Sequence, residues 1–337
     1  MARSTNRSPD AHPVSRRALL GASLGTSLGA SLLAGCAPRL VPAGPTVGPP
    51  RDEGDALVMA DGVRLPLTSW LPEGPPRGVV LGLHGFNDYA RAFEIPSPLF
   101  TAAGWALHAY DQRGFGRAPA RGLWAGADTL AADAVAAARL IRARHPGLPL
   151  LLLGESMGAA VLLVAGVREE PPPADGYVLS APAVWGGETM GETGRWFLDL
   201  FANLVPALGI VGGSPFIRAS DNEAALIALG RDPLVLRSTR IDALHGLVAL
   251  MDAALEASRR FDHPALVLYG ERDDIVPERA IVALRERLPG VASGQQRVIG
   301  YDDGYHLLLR DRSRAAVAAD ILAWASNGPL AAATRGT

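Results

Sequence analysis

The sequence predicts an α/β domain on a mostly parallel, twisted sheet, opened by an antiparallel hairpin and interrupted by a helical insertion. Three observations carry that prediction. Short apolar runs alternate with helix-patterned segments from residue 56 onward, the order that builds a parallel sheet covered by helices. Asp61-Gly62 separates two strand-like stretches, which is a hairpin signal. Leu150-Leu151-Leu152-Leu153 runs into Gly154-Glu155-Ser156-Met157-Gly158, and a small-residue, helix-prone segment follows.

The first 54 residues stand apart. Residues 1–35 have the layout of an export signal: a positively charged start, an apolar run, then small residues. The run is rich in Gly, Ser and Ala, and it is weak for a membrane span. Arg16-Arg17 resembles a twin-arginine signal. Leu33-Ala34-Gly35-Cys36 resembles the lipobox of bacterial lipoproteins, and Cys36 is the only cysteine in the chain. That resemblance implies lipidation of Cys36 and an exported protein anchored to a membrane of the cell envelope. Ala37 after the cysteine implies the outer membrane in a Gram-negative cell. Residues 36–54 contain five prolines and read as an extended, poorly ordered tether.

The domain is expected over 55–182 and 241–327. Ala56 to Ala60 and Val63 to Leu71 make the hairpin. Gly78 to Leu83 and Trp105 to Tyr110 read as buried strands. Thr129 to Arg144 reads as a helix that Pro146 stops. Leu150 to Leu153, Tyr177 to Ser180, Ala265 to Tyr269 and Gln296 to Ile299 supply further strands, and Arg312 to Ala325 a closing helix. Between Ser180 and Ala265 lie about 80 residues, where a crossover needs about a dozen. Residues 183–240 are too apolar for a disordered loop and are expected to form a helical cap over the strand ends. Most of its aromatic residues, such as Trp196, Phe197 and Phe201, are expected to form the cap's own core, and some a lipid-compatible entrance. Asp242 to Arg260 returns to the sheet as a helix.

Composition excludes several classes. A net charge of −2 argues against nucleic-acid binding. One cysteine and no His-Glu-x-x-His give no metal-ligand set, and there is no Gly-rich phosphate loop. No cofactor is implied.

The Gly154–Gly158 stretch reads as a nucleophile elbow with Ser156 at its apex. A serine hydroxyl needs a base within hydrogen-bond reach and a third group to orient that base. Of seven histidines, His306 has the strongest claim, because it follows the last strand on a loop. His84 is expected to brace a loop. The acid should follow another strand end, where Asp273 and Asp274 compete. One of them could instead cap the helix starting near Pro277. Glu155 adjoins the nucleophile, and Asp302-Asp303 shares the loop of the histidine, which disfavours all three. Two oxyanion donors are expected: the N–H of Met157 and the N–H of Phe86, in the loop His84-Gly85-Phe86-Asn87-Asp88.

These pieces together resemble the α/β-hydrolases of the monoacylglycerol lipase and lysophospholipase-like group, also called the serine aminopeptidase S33 group. The matching segments are Leu83-His84-Gly85-Phe86, Tyr110-Asp111-Gln112-Arg113-Gly114-Phe115-Gly116, Gly154-Glu155-Ser156-Met157-Gly158, Ser180-Ala181-Pro182, Gly270-Glu271-Arg272-Asp273 and Tyr305-His306. The resemblance spans roughly residues 55 to 327 and implies the α/β-hydrolase fold. It also implies the triad Ser156, Asp273 and His306, choosing Asp273 over Asp274. The implied activity is hydrolysis of carboxylic esters, monoacylglycerol or lysophospholipid-like, through an acyl-enzyme. An aminopeptidase or acyltransferase would use the same machinery. Asn87-Asp88-Tyr89 departs from the pattern usual after His-Gly in this group.

Overall fold

The computed structural model describes Met1 and residues 38–186, 191–211 and 217–327. Cys36 and the expected export signal lie outside the described residues. Strands β1 (Arg51–Asp52), β2 (Ala56–Val58) and β3 (Arg64–Trp70) open the chain. They pair antiparallel, β1 with β2 and β2 with β3, and β3 then pairs antiparallel with β5 (Trp105–Tyr110). The remaining pairs run parallel through β4 (Gly78–Leu83), β6 (Leu150–Glu155), β7 (Gly176–Ser180), β10 (Ala265–Gly270) and β11 (Gln296–Tyr301). The nine-stranded order is β1-β2-β3-β5-β4-β6-β7-β10-β11. This is the mostly parallel sheet with an antiparallel N-terminal edge that the sequence predicts.

Period-2 side-chain alternation divides two cores between the faces. Val79, Leu81, Leu150, Leu152 and Val267 point to one side. There they meet helices α2 (Ala127–Arg144) and α3 (Met157–Gly166). Val80, Leu151, Leu153, Leu266 and Leu268 point to the other. There α1 (Ser97–Ala102) contributes Phe100, and a C-terminal helix at Arg314–Asn327 contributes Val317, Ile321 and Trp324. Helix α2 is alanine-rich, with Asp128 in its first turn and Arg142 and Arg144 in its last. Those charges suit its dipole.

The stretch expected to be a loose tether is a strap where it is described. Leu40 bridges Trp124, and the Val41 N–H donates to the Trp124 carbonyl at 2.8 Å. The Arg39 N–H donates to Asp242 at 3.0 Å, the Gly44 N–H to Asp61 at 3.0 Å, and the Val47 N–H to the Ala60 carbonyl at 2.8 Å. Asp52, in β1, accepts from Arg144 Nε at 2.6 Å. The physical reason is twofold. Prolines reduce the entropy lost on ordering, and the remaining N–H groups find acceptors along the domain.

The insertion lies between β7 and the return helix. It contains α4 (Glu192–Leu204), β8 (Gly209–Val211), α5 (Glu223–Arg231) and β9 (Ser238–Arg240). Strands β8 and β9 form an antiparallel ribbon that the sequence reading places in a wholly helical region. Helix α6 (Ile241–Ala257) then returns to the sheet. The expectation of an aromatic cap core is also corrected. Trp196 is 58% exposed, and Phe197, Phe201, Leu204, Leu208 and Val211 are exposed as well. Among the described side chains of α4, Ala202 is the fully buried one. Two short helices and a two-stranded ribbon are too thin a layer to enclose large side chains.

Candidate active site

The site begins with the turn from β6 into α3. Ser156 sits at φ 54°, ψ −111°, a conformation that costs a non-glycine residue about 1–3 kcal/mol. Its neighbours over-determine it. The Ser156 N–H donates to the Ser180 carbonyl at 2.9 Å, and its carbonyl accepts from Ala159, Ala160 and Ala183. A side chain at Gly154 would collide with the backbone of Ala159, and one at Gly158 with the Leu83 carbonyl. Both glycines are therefore required where the strand doubles back into the helix.

His306 and Asp273 come from neighbouring strand ends. Asp273 follows β10, and His306 follows β11. The two loops lie directly on each other, because a side chain at Gly270 would strike the Gly304 backbone. Hydrogen bonds from the Glu271 N–H to the Tyr301 carbonyl and from the Arg272 N–H to the Gly304 carbonyl, each 3.0 Å, fix that contact. His306 Nδ1 is 2.8 Å from Asp273 Oδ2, and both side chains are buried. Asp273 Oδ1 accepts from the Ile275 and Val276 N–H groups at 2.7 and 2.9 Å. These N–H groups belong to the turn ahead of the helix at Glu278–Arg287, whose N-cap Pro277 makes no side-chain cap bond. The helix cap expected of one aspartate is thus replaced by a turn closed by the carboxylate that holds the imidazole. Asp274 accepts the Arg218 N–H at 3.1 Å at the surface. Asp303 pairs with Arg272, also exposed.

Ser156 and His306 line one cavity of about 310 Å³, together with Gly85, Phe86, Asn87, Asp88, Glu155 and Arg310. Its remaining wall is mostly apolar: Ala183, Leu229, Val235, Leu247, Met251, Ile275, Val276 and Leu307 among others. A larger open groove of about 770 Å³ runs past Pro50, Arg139 and Glu170, and no serine, cysteine or histidine is among its lining residues. Among the described residues, no group of three or more His, Cys, Asp or Glu gathers as a metal site, and no helix is long and apolar enough to cross a membrane.

The two residues expected to supply oxyanion donors, Met157 and Phe86, lie next to Ser156 in sequence and beside it in the cavity wall respectively. Met157 opens α3, so its N–H is one of the four that no earlier turn can accept. Phe86 follows β4, and Gly85 lies against the elbow, where an added Cβ would be 3.5 Å from that of Ser156. The Phe86 ring packs edge-on against Phe115 at 5.5 Å and Trp124 at 6.2 Å. His84 braces this loop. Its Nδ1–H donates to the Gly85 carbonyl at 2.8 Å, and its Nε2 accepts from the Gln112 N–H at 3.0 Å. Burial lowers its pKa and keeps it neutral. Asn87 ties the loop to the cap through Thr239 Oγ1 at 2.6 Å.

One part of the site escapes the sequence reading. Arg310 reaches Asp88 Oδ2 at 2.7 Å with one nitrogen and Glu155 with the other, and all three residues are buried. Burial raises the Glu155 pKa. Burial also works against the Arg310 charge, but the two carboxylates outweigh it and raise its pKa. The available signal was a glutamate closing an apolar strand and an arginine closing Leu307-Leu308-Leu309. Charges in such places need buried partners.

Comparison with known proteins agrees with this architecture. The chain is 27% identical to a monoacylglycerol lipase of Mycolicibacterium smegmatis over 78% of its length and 93% of the relative. It is 26% identical to human monoglyceride lipase over 76% of its length and 84% of the relative. The crystal structure of a soluble variant of the Saccharomyces cerevisiae monoglyceride lipase, in complex with a substrate analogue, superposes with a TM-score of 0.64 at 20% identity. That match covers 86% of this chain and 97% of the other. Residues 74–313 match the serine aminopeptidase S33 family of hydrolases. With that span containing the elbow, the cavity and the His306–Asp273 pair, the chain belongs to the serine aminopeptidase S33 family.

Proposed function

We propose that this protein is a serine hydrolase of carboxylic esters, acting on monoacylglycerol or lysophospholipid-like lipids. The observation that carries the reading is the strained Ser156 sharing an apolar cavity with His306, whose imidazole is held by Asp273. Ser156 Oγ attacks the ester carbonyl, and His306 Nε2 takes its proton. Asp273 keeps the imidazole proton on Nδ1 and stabilises the cation that forms. The N–H groups of Met157 and Phe86 hold the developing oxyanion. His306 returns the proton to the leaving alcohol, and water then attacks the acyl-enzyme by the same route. The apolar cavity wall and the exposed aromatic residues of α4 suit an acyl chain arriving from a lipid phase. The names of the two relatives point the same way.

A panel of acylglycerols, lysophospholipids, p-nitrophenyl esters and aminoacyl amides tests this reading. Ester turnover that is lost in Ser156→Ala is expected. Turnover of amides alone would make the protein a peptidase.

The lipobox-like segment supports export and lipidation at Cys36, with the protein anchored to an envelope membrane, the outer one in a Gram-negative cell. Incorporated palmitate should disappear in Cys36→Ser. Labelling that persists in that variant would reject the anchor.

A further inference from the structure

Arg310 is buried in the wall of the cavity, and its fork joins three loops that carry the reacting groups. Asp88 lies two residues after Phe86. Glu155 immediately precedes Ser156. Arg310 itself lies four residues after His306, and its N–H closes the intervening turn on the Leu307 carbonyl at 2.7 Å. The next residue, Asp311, secures the other side of the base by accepting the Tyr305 N–H at 2.8 Å. We infer that Arg310 is a positioning residue: through Asp88 and Glu155 it sets the oxyanion loop, the nucleophile and the base in mutual register. The inference rests on the reading of Ser156 as nucleophile.

Stability alone does not account for this group. Burying one guanidinium and two carboxylates carries a large desolvation cost, and well-packed apolar residues of similar volume are often as stabilising or more so. Apolar packing would join the loops but without direction. A planar guanidinium with fixed N–H vectors constrains two carboxylates in distance and angle at once. Among the described residues, Arg310 Nε is also buried without a hydrogen-bond partner. The fork is therefore oriented by its two carboxylates and is not maximally bonded. Positional tolerance at a reacting serine is narrow, since a displacement of about 1 Å can cost about 10²-fold in rate.

The test compares Arg310→Lys, Arg310→Met and the triple variant Asp88→Asn/Glu155→Leu/Arg310→Met in the otherwise intact protein. The measurements are kcat and KM on a soluble p-nitrophenyl ester, with the melting temperature alongside. Arg310→Lys keeps the charge but lacks the fork, so kcat is expected to fall at least about tenfold with KM nearly unchanged. Arg310→Met leaves two unpaired buried carboxylates and should melt early. The triple variant removes those charges and should recover the melting temperature, with kcat still about 10²-fold down. A triple variant with wild-type kcat, or kcat losses that follow the folded fraction in every variant, would overturn the inference. Should the triple variant not fold, the kcat-to-KM split in Arg310→Lys decides. Wild-type protein that turns over no ester overturns the reading of Ser156 instead.

Discussion

Asp273 divides its two oxygens between the imidazole of His306, at 2.8 Å, and the backbone N–H groups of Ile275 and Val276. The carboxylate cannot rotate away from the ring without giving up two hydrogen bonds. Asp273→Asn should therefore fold and bind substrate but hold the wrong imidazole tautomer. A kcat loss of about 10³–10⁴-fold is expected, with KM and melting temperature close to wild type. Asp274→Asn, at the surface, should lose less than about twofold. Steady-state kinetics on one ester separates the two aspartates.

The elbow has no room at Gly158. Gly158→Ala would drive a methyl group into the Leu83 carbonyl, forcing apart β4 and the start of α3. Overpacking of this kind typically costs about 1–3 kcal/mol, and activity should fall further because the shift reaches Ser156. Urea unfolding together with kcat measures both effects.

Acid should weaken the fold through an imidazole pair away from the site, buried His108 and half-buried His145. His108 Nε2 lies 2.9 Å from His145 Nε2, and Ser69 bonds His108 Nδ1 at 2.7 Å. Burial, helped by His145 and Arg144, lowers the His108 pKa to about 3, while Asp52 opposes the shift. Burial lowers the His145 pKa as well. The unfolded chain takes up a proton near pH 6.5 that the native pair refuses. The stability contributed by His108 is therefore complete above about pH 6.5 and falls as the pH drops toward about 3, by up to about 1.4 kcal/mol per pH unit. Denaturant midpoints from pH 7 to pH 4 should show this decline. It should be shallower in His108→Gln.

The strap should matter to stability. A chain beginning at Pro49 loses the bonds from Arg39, Val41, Gly44 and Val47 and uncovers Trp124. At about 0.5–1.5 kcal/mol per hydrogen bond, a loss of about 2–6 kcal/mol relative to a chain beginning at Pro38 is expected. Thermal melts of the two truncations check it.

Much of this was legible in the sequence because it depends on local rules. The elbow follows from two glycines flanking a serine between an apolar run and small residues, and the hairpin from Asp61-Gly62. Other features depend on partners far apart in the chain. Nothing local shows that Pro38 to Pro50 finds acceptors on residues as distant as Asp242. Nothing local shows that Arg310 meets both Asp88 and Glu155. Apolar composition announced a folded insertion, but which side of α4 stays exposed depends on how thin the cap is. Local chemistry alone leaves Asp273 and Asp274 open; the family resemblance favours Asp273, and the loop geometry places its carboxylate 2.8 Å from the imidazole.

The central claim is that Ser156 is a nucleophile activated by His306. Intact mass of the protein after brief exposure to a fluorophosphonate, followed by peptide mapping, tests it most directly. One adduct is expected, on the peptide holding Ser156, absent in Ser156→Ala and greatly slowed in His306→Ala. An unlabelled wild-type protein, or equal labelling in Ser156→Ala, would contradict the claim.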